Sequence, residues 1–201
     1  MALFPRELET ERLRLEALDG GTLDPFDLYE HVREGAPGVE RLTRYLTWEP
    51  HPHPKESAEF LARCAEQFEA GEGVQYAIRP REAESGAGEF AGLGGFGVDW
   101  DRSVATLGTW LREPFWGRGY SGERAHALMG VAFDRLDLDC VAVTCDVDNE
   151  QSRRAIGKYV EAAGGREEGR LRSFAPAPDG AVDSYRFTVT ADEWAASGLD
   201  D

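Results

Sequence analysis

Apolar and polar positions alternate over Leu13–Ala17: Leu13, Leu15 and Ala17 fall on one side and Arg14 and Glu16 on the other. That period of two reads as a half-buried strand. Asp24-Pro25 then opens a helix, with the aspartate at the N-cap and the proline in the first turn. Leu28 and Val32 share its inner face, and Gly35 stops it. A second short helix is expected over Val39–Tyr45, followed by a Pro/His loop from Trp48 to Pro54. Over Lys55–Ala70, Phe60, Leu61, Cys64 and Phe68 recur at helical spacing, and Gly71 and Gly73 end the run.

Strands are expected at Val74–Ile78, Glu89–Val98 and Val104–Leu111, joined by short turns as an antiparallel meander. Ala125, Leu128, Met129, Ala132, Phe133 and Leu136 then follow a helical period, and Cys140–Asp146 is an apolar strand. A further helix spans Asn149–Ala163. Two strands, Arg166–Phe174 and Ala181–Thr190, flank a turn at Ala175–Gly180, and a last short helix starts near Ala191. The order predicts an α/β fold with a mixed sheet. No repeat or linker divides it, so one domain is expected over residues 1–201, with 1–7 and 197–201 peripheral.

The stretch Arg112-Glu113-Pro114-Phe115-Trp116-Gly117-Arg118-Gly119-Tyr120-Ser121-Gly122 delivers a strand into a helix through a glycine-rich turn. The first turn of a helix leaves amide groups without intrahelical partners. Glycines let a ligand approach them, and the helix dipole favours an anion there. A pyrophosphate cradle is the reading; a plain strand-to-helix turn is the alternative. The cradle has no Gly-Lys-Ser/Thr, which excludes a P-loop. Meander strands precede it rather than a first parallel strand, which excludes a Rossmann fingerprint.

Composition narrows the setting. The formal net charge of −16 argues against nucleic-acid binding. Two lysines stand against twenty arginines, and the acids are dispersed, a balance that suggests adaptation to high salt. No apolar run is long enough for a membrane span, and the N-terminus has no signal-peptide pattern, so a cytoplasmic location is expected. Cys64, Cys140 and Cys145 lack metal-ligand spacing, so no metal site is expected and the thiols read as buried small side chains.

Four segments in order resemble the GCN5-related N-acetyltransferase (GNAT) superfamily, most closely its RimJ/RimL-like branch. They are Leu8-Glu9-Thr10-Glu11-Arg12-Leu13-Arg14-Leu15; Leu107-Gly108-Thr109-Trp110-Leu111 running into Trp116-Gly117-Arg118-Gly119-Tyr120; Asp148-Asn149-Glu150-Gln151-Ser152-Arg153-Arg154; and Arg166-Glu167-Glu168-Gly169-Arg170-Leu171-Arg172. The resemblance implies a mostly antiparallel sheet flanked by helices, with a splayed central strand pair. It departs from the family at Pro114, at Ala105-Thr106 where a glutamate is common, and at Ile156 where many members carry a tyrosine. Tyr159 is three residues out of phase with that position. Gly164-Gly165 arrives about one turn late, as though the preceding helix were longer.

On this resemblance acetyl-CoA is the donor. Trp110, Leu111 and Arg112 would face its carbonyl and pantetheine, while Gly117, Arg118, Gly119, Tyr120, Ser121 and Gly122 would hold its pyrophosphate. Asn149 would bond the cofactor arm as well as cap its helix. Ser152 is the candidate donor to the thiol, against a local back-bond to a helix carbonyl. Glu168 is the candidate acid/base near the acceptor, against a solvated strand carboxylate. Arg112, Arg118, Arg124, Arg153 and Arg154 lend the two motifs a basic character, or pair with neighbouring acids. Trp48, His51 and His53 could shape the acceptor pocket, with Asp99 and Trp100 a further possibility; His126 reads as an ordinary helix residue. The expected activity is direct acetyl transfer to a primary amine, either a protein N-terminus or a small molecule, by a monomer or homodimer. A non-catalytic acyl-CoA-binding module is the alternative.

Overall fold

The computed structural model describes residues 2–177 and 180–199. Among the described residues eight strands and six α-helices follow in the order β1 (Glu7–Glu9), β2 (Leu13–Ala17), α1 (Pro25–Val32), α2 (Val39–Thr43), α3 (Pro54–Ala70), β3 (Gly73–Pro80), β4 (Gly92–Asp99), β5 (Val104–Leu111), α4 (Tyr120–Gly130), β6 (Cys140–Asp146), α5 (Glu150–Ala162), β7 (Arg166–Ala177), β8 (Gly180–Thr190) and α6 (Ala191–Ser197). The strand order is β1-β2-β3-β4-β5-β6-β8-β7. This is the mixed, mostly antiparallel α/β architecture expected from the sequence. Packing groups the residues into two compact units: one from the N-terminal residues to Gly97 with Thr109–Tyr120, the other Val98–Gly108 with the residues from Ser121 onward.

In the first unit β1 to β4 pair antiparallel in sequence order, with Leu15 opposite Ile78 and Tyr76 opposite Gly94. Leu13, Leu15 and Ala17 are all buried, as their alternation predicts. Asp24 caps α1 by accepting from the Phe26 amide at 2.8 Å, and Pro25 fills the first helical position. Gly71 ends α3 in the left-handed region, at φ 72°. A core forms from Leu18, Leu28, Val32, Cys64 and Leu93, with Trp48 and Trp110 packed against it. The N-terminal segment, read as peripheral, supplies Phe4 to the interior, 5.9 Å from Phe68 and 5.6 Å from Phe96 between ring centroids.

Strand β4 is glycine-rich for a steric reason. A Cβ placed on Gly95 would lie 1.9 Å from the Val74 carbonyl oxygen, and one on Gly92 would lie 2.2 Å from that of Trp110. The neighbouring backbones approach too closely for any other residue.

In the second unit the start of β5 pairs with β6, the one parallel ladder among the strand pairings described. It matches Val104–Leu107 with Cys140–Val143. The paired register ends there, although β5 continues to Leu111 and β6 to Asp146. Asn149 caps α5 by accepting from the Ser152 amide at 3.0 Å, and a Thr190/Glu193 capping box opens α6. The helix expected through Leu136 keeps α-geometry to Gly130 and then widens into a π-type turn, Val131–Arg135. The β7–β8 hairpin is longer than expected, and the predicted turn at Ala175–Gly180 falls partly on Pro178 and Asp179, outside the described residues.

Candidate functional site

The turn between β5 and α4 has the geometry its composition implies. Glu113–Phe115 form a single 3-10 turn, and the indole Nε1 of Trp116 donates back to the Leu111 carbonyl at 2.6 Å. Gly117 and Gly119 adopt φ of +73° and +81°, which glycine reaches without strain. Among the described residues, the amides of Gly117 through Gly122 donate to no protein acceptor. Consecutive unbonded amides at the start of an eleven-residue helix form an anion-binding concavity.

Arginines hold this turn from outside. Arg12 Nη1 donates to the Arg118 carbonyl at 2.9 Å, and the Arg12 guanidinium stacks 5.4 Å from the Tyr120 ring centroid. Arg118 Nη1 donates to the Ser85 carbonyl at 2.7 Å, while its guanidinium lies over Phe115. Among the described residues Arg118 has no carboxylate partner, so its charge remains available to an anion. The Tyr120 hydroxyl donates to Glu84 at 2.6 Å, and burial with that carboxylate raises its pKa. Arg12 lies more than a hundred residues before the turn, and its reach to residue 118 has no local signature in the sequence. Gly122 serves packing in the second unit, where a Cβ on it would touch Tyr159 Cβ at 3.4 Å.

The other cations expected near an anion are largely spent. Arg112 donates to the Phe90 carbonyl at 2.6 Å and lies 3.8 Å from Glu89. In the second unit Arg153 forms a two-point bond with Glu167 (2.8 and 3.0 Å) and stacks on Tyr185, and Arg154 pairs with Glu150 at 3.4 Å. Of the two readings for Arg153 and Arg154, surface ion pairing is what forms. A groove of about 570 Å³ floored by Gly157, Gly165 and Phe187 runs past these pairs, and its charges are balanced.

Trp110 and Leu111 belong to the first unit with Arg112 and the turn residues up to Tyr120. Leu111 is buried; Trp110 joins a wall of rings, 5.7 Å from Phe90 and 5.8 Å from Trp48 between centroids. His51 packs on Trp48, but His53 is exposed and only approaches Glu56, so the two histidines do not act together. Trp100 is 45% exposed in the second unit, where Asp99 accepts from the Arg102 amide to close its turn.

In the second unit Ser152 is half-buried, and its hydroxyl bonds nothing among the described residues, so the competing back-bond to a helix carbonyl is not made. Glu168 accepts from the Thr188 hydroxyl at 2.6 Å and from Arg166 at 3.3 Å, and the Thr188 bond first, then Arg166, hold its pKa below the usual carboxylate value. It is therefore ionised at neutral pH, able to accept a proton and unable to donate one. Ile156 is buried and apolar. Tyr159 also turns inward, against Arg124, and burial pushes its hydroxyl up to about 12. His126 Nε2 lies 3.0 Å from the Tyr159 carbonyl, a helix-to-helix tie. Among the described residues no group of three or more His, Cys, Asp or Glu could hold a metal, and no helix is long and apolar enough to cross a membrane.

Comparison with known proteins places these features in a family. Residues 12–159 match the family described as acetyltransferase (GNAT) domain. An uncharacterized N-acetyltransferase, p20 of Bacillus licheniformis, is 23% identical over 189 residues, covering 94% of this chain and 98% of that protein. A GCN5-related N-acetyltransferase from Brucella melitensis superposes with a TM-score of 0.76 at 22% identity, over 98% of this chain and 83% of that one. RimL, a ribosomal L7/L12 alpha-N-protein acetyltransferase solved with coenzyme A, superposes with a TM-score of 0.74 at 21% identity, over 92% and 97%.

Proposed function

We propose that this chain, which belongs to the acetyltransferase (GNAT) family, moves an acetyl group from acetyl-CoA directly to a primary amine. The observation that carries the reading is the run of unbonded amides from Gly117 to Gly122, opened by two left-handed glycines and attended by Arg118. It suits a pyrophosphate. Trp110, Leu111 and Arg112, on the end of β5, would meet the pantetheine and the thioester carbonyl, with backbone amides acting as an oxyanion hole does. Asn149 would bond the cofactor arm. Ser152, with an unengaged hydroxyl, would give the leaving sulfur its proton. Glu168, being ionised, would enter only as a proton acceptor on the amine side.

Protein N-termini are one acceptor class, supported by the activity that RimL's description states; small amines are the other. The strongly acidic surface favours cationic acceptors at low salt, an attraction that molar salt screens. A cytoplasmic, salt-adapted monomer or homodimer that binds no nucleic acid fits the composition.

Calorimetry with acetyl-CoA, paired with a thiol-release assay over N-terminal peptides and small amines in high salt, tests this. Micromolar binding, weakened about tenfold or more by Gly119→Val, with turnover on at least one amine is the expected result. Absence of binding sinks the reading. Binding without turnover across the panel favours a non-catalytic acyl-CoA module, which the buried Ile156 at the family's tyrosine position would explain.

A further inference from the structure

Five rings form a continuous wall in the first unit. His31 stacks on Phe90 at 5.6 Å between centroids, Phe90 meets Trp110 at 5.7 Å, Trp110 meets Trp48 at 5.8 Å, and Trp48 meets His51 at 5.9 Å. His51 is held through both its backbone and its ring. Its amide donates to the Val32 carbonyl at 2.9 Å, and its carbonyl accepts from the Glu34 amide at 3.3 Å. Tyr29 donates to the next carbonyl, that of Pro52, at 3.1 Å. The ring is fixed as well: Nδ1 lies 2.8 Å from the Oγ of Ser57.

Ser57 has no exposed surface, and this imidazole is its hydroxyl's sole partner among the described residues. The other ring nitrogen, Nε2, has no partner among the described residues. An imidazole held on both sides of its backbone and at one nitrogen, with the other nitrogen unengaged, has the supporting contacts that a proton-transfer group needs.

We propose that His51 is the general base of the acetyl transfer, taking a proton from the acceptor's ammonium at Nε2, with Ser57 as the positioning residue that fixes its ring. The proposal rests on the acetyltransferase reading and assigns to His51 the amine-side role for which Glu168 is the carboxylate candidate. When Nδ1–H donates to the Ser57 oxygen, the lone pair is on Nε2. One ammonium proton passes to Nε2. The neutral amine nitrogen then forms a bond to the acetyl carbon as the carbon–sulfur bond breaks. The second nitrogen proton replaces the one that the Ser152 hydroxyl gives the departing sulfur, giving amide and free thiol, and the imidazolium returns its proton to water.

Burial holds His51 below its ordinary 6.5, so the ring is neutral at pH 7. The charged groups acting on it are Glu56, which raises its proton affinity, and Arg63, which lowers it, both on α3.

The test measures kcat against pH from 5 to 10 at saturating acetyl-CoA and acceptor for wild type, His51→Asn and Ser57→Ala, alongside acetyl-CoA affinity. Asparagine keeps a group able to bond Ser57 and deletes the base. H51N is expected to lose about 100-fold in kcat at pH 7 and to exchange the wild-type acid limb for one set by the acceptor's own deprotonation, recovering toward pH 10, with acetyl-CoA affinity unchanged. S57A is expected to lose about tenfold and to shift the limb, which gives a second reading if H51N folds poorly. Wild-type kcat and limb in both variants overturn the assignment, as does a limb that vanishes in Glu168→Gln but persists in H51N. Failure of the wild type itself to bind acetyl-CoA or acetylate any amine removes the acetyltransferase reading, a result distinguishable because it appears before any substitution.

Discussion

Arg124 donates from Nη1 to the carbonyl of Gly108 at 3.2 Å, one residue past the last pair of the β5–β6 ladder. A side chain thus occupies an acceptor at the point where the paired register stops. Arg124 is 1% exposed, its Nε bonds nothing, and its nearby groups are neutral. A buried guanidinium with no carboxylate is costly to keep.

Arg124→Met should therefore hold or raise stability in urea unfolding, because Gly108 is exposed and water can take its carbonyl. Tyr159→Phe should lower it by about 1–2 kcal/mol, since it removes the hydroxyl whose field favours the buried cation. A loss above about 2 kcal/mol in R124M would show the guanidinium to be a net stabiliser.

Glycine spacing in β4 gives a steric prediction. Gly95→Ala must displace the Val74 carbonyl and should cost about 3 kcal/mol or more, with Gly97→Ala, whose Cβ meets only an oxygen at 3.9 Å, nearly silent. Thermal unfolding of the pair decides it; equal midpoints would show that β4 can shift away.

The three thiols should be unreactive in the folded protein. Burial pushes Cys64 up to about 12 and Cys145 up to about 11, and raises Cys140 as well. At pH 8 all are protonated, so DTNB should release thiolate only on unfolding. Rapid native labelling of even one cysteine contradicts this.

Acid sensitivity should include the histidines of the ring wall. His31, like His51, is held below 6.5, chiefly by burial and for His31 also by Arg112. The unfolded chain takes up protons first, so their contribution is complete above pH 6.5 and is lost as the pH falls through the lower folded values. His31→Gln should flatten the dependence of the urea midpoint on pH between about 6.5 and 5; an unchanged slope would place the effect elsewhere.

Stability should rise toward molar KCl, because a net charge of −16 repels itself at low salt. A melting temperature independent of salt would remove the case for halophilic adaptation.

Local chemistry in the sequence was enough to place most elements. Asp24-Pro25, the Phe60/Leu61/Cys64/Phe68 stripe and the glycine turn before α4 each act over a few residues, and each is realised. What escaped depends on contacts distant in sequence: the burial of Phe4 by Phe68 and Phe96, Arg12 on the Arg118 carbonyl, and the extension of β7. Two buried polar side chains left a trace in the sequence. Ser57 lies two helical turns before Cys64 on the inward stripe of α3, and Arg124 falls between Tyr120 and Leu128 on that of α4. A polar residue in an apolar stripe must find a partner inside, and those partners mark the ring wall and the end of the parallel ladder.

Strand β7 closes the sheet on one side, and its ladder to β8 slips between Glu167 and Gly169 and again between Leu171 and Ala175. Gly169 at φ 141° and Ser173 at φ 49° bend the strand at those slips. Charged residues along an outer strand deter edge-to-edge aggregation only while their field reaches a neighbour, and molar salt shortens that reach to a few ångströms. The bends are backbone conformation, which salt does not screen. At molar salt, the kinked backbone of β7, more than its charges, would keep one molecule from templating the next.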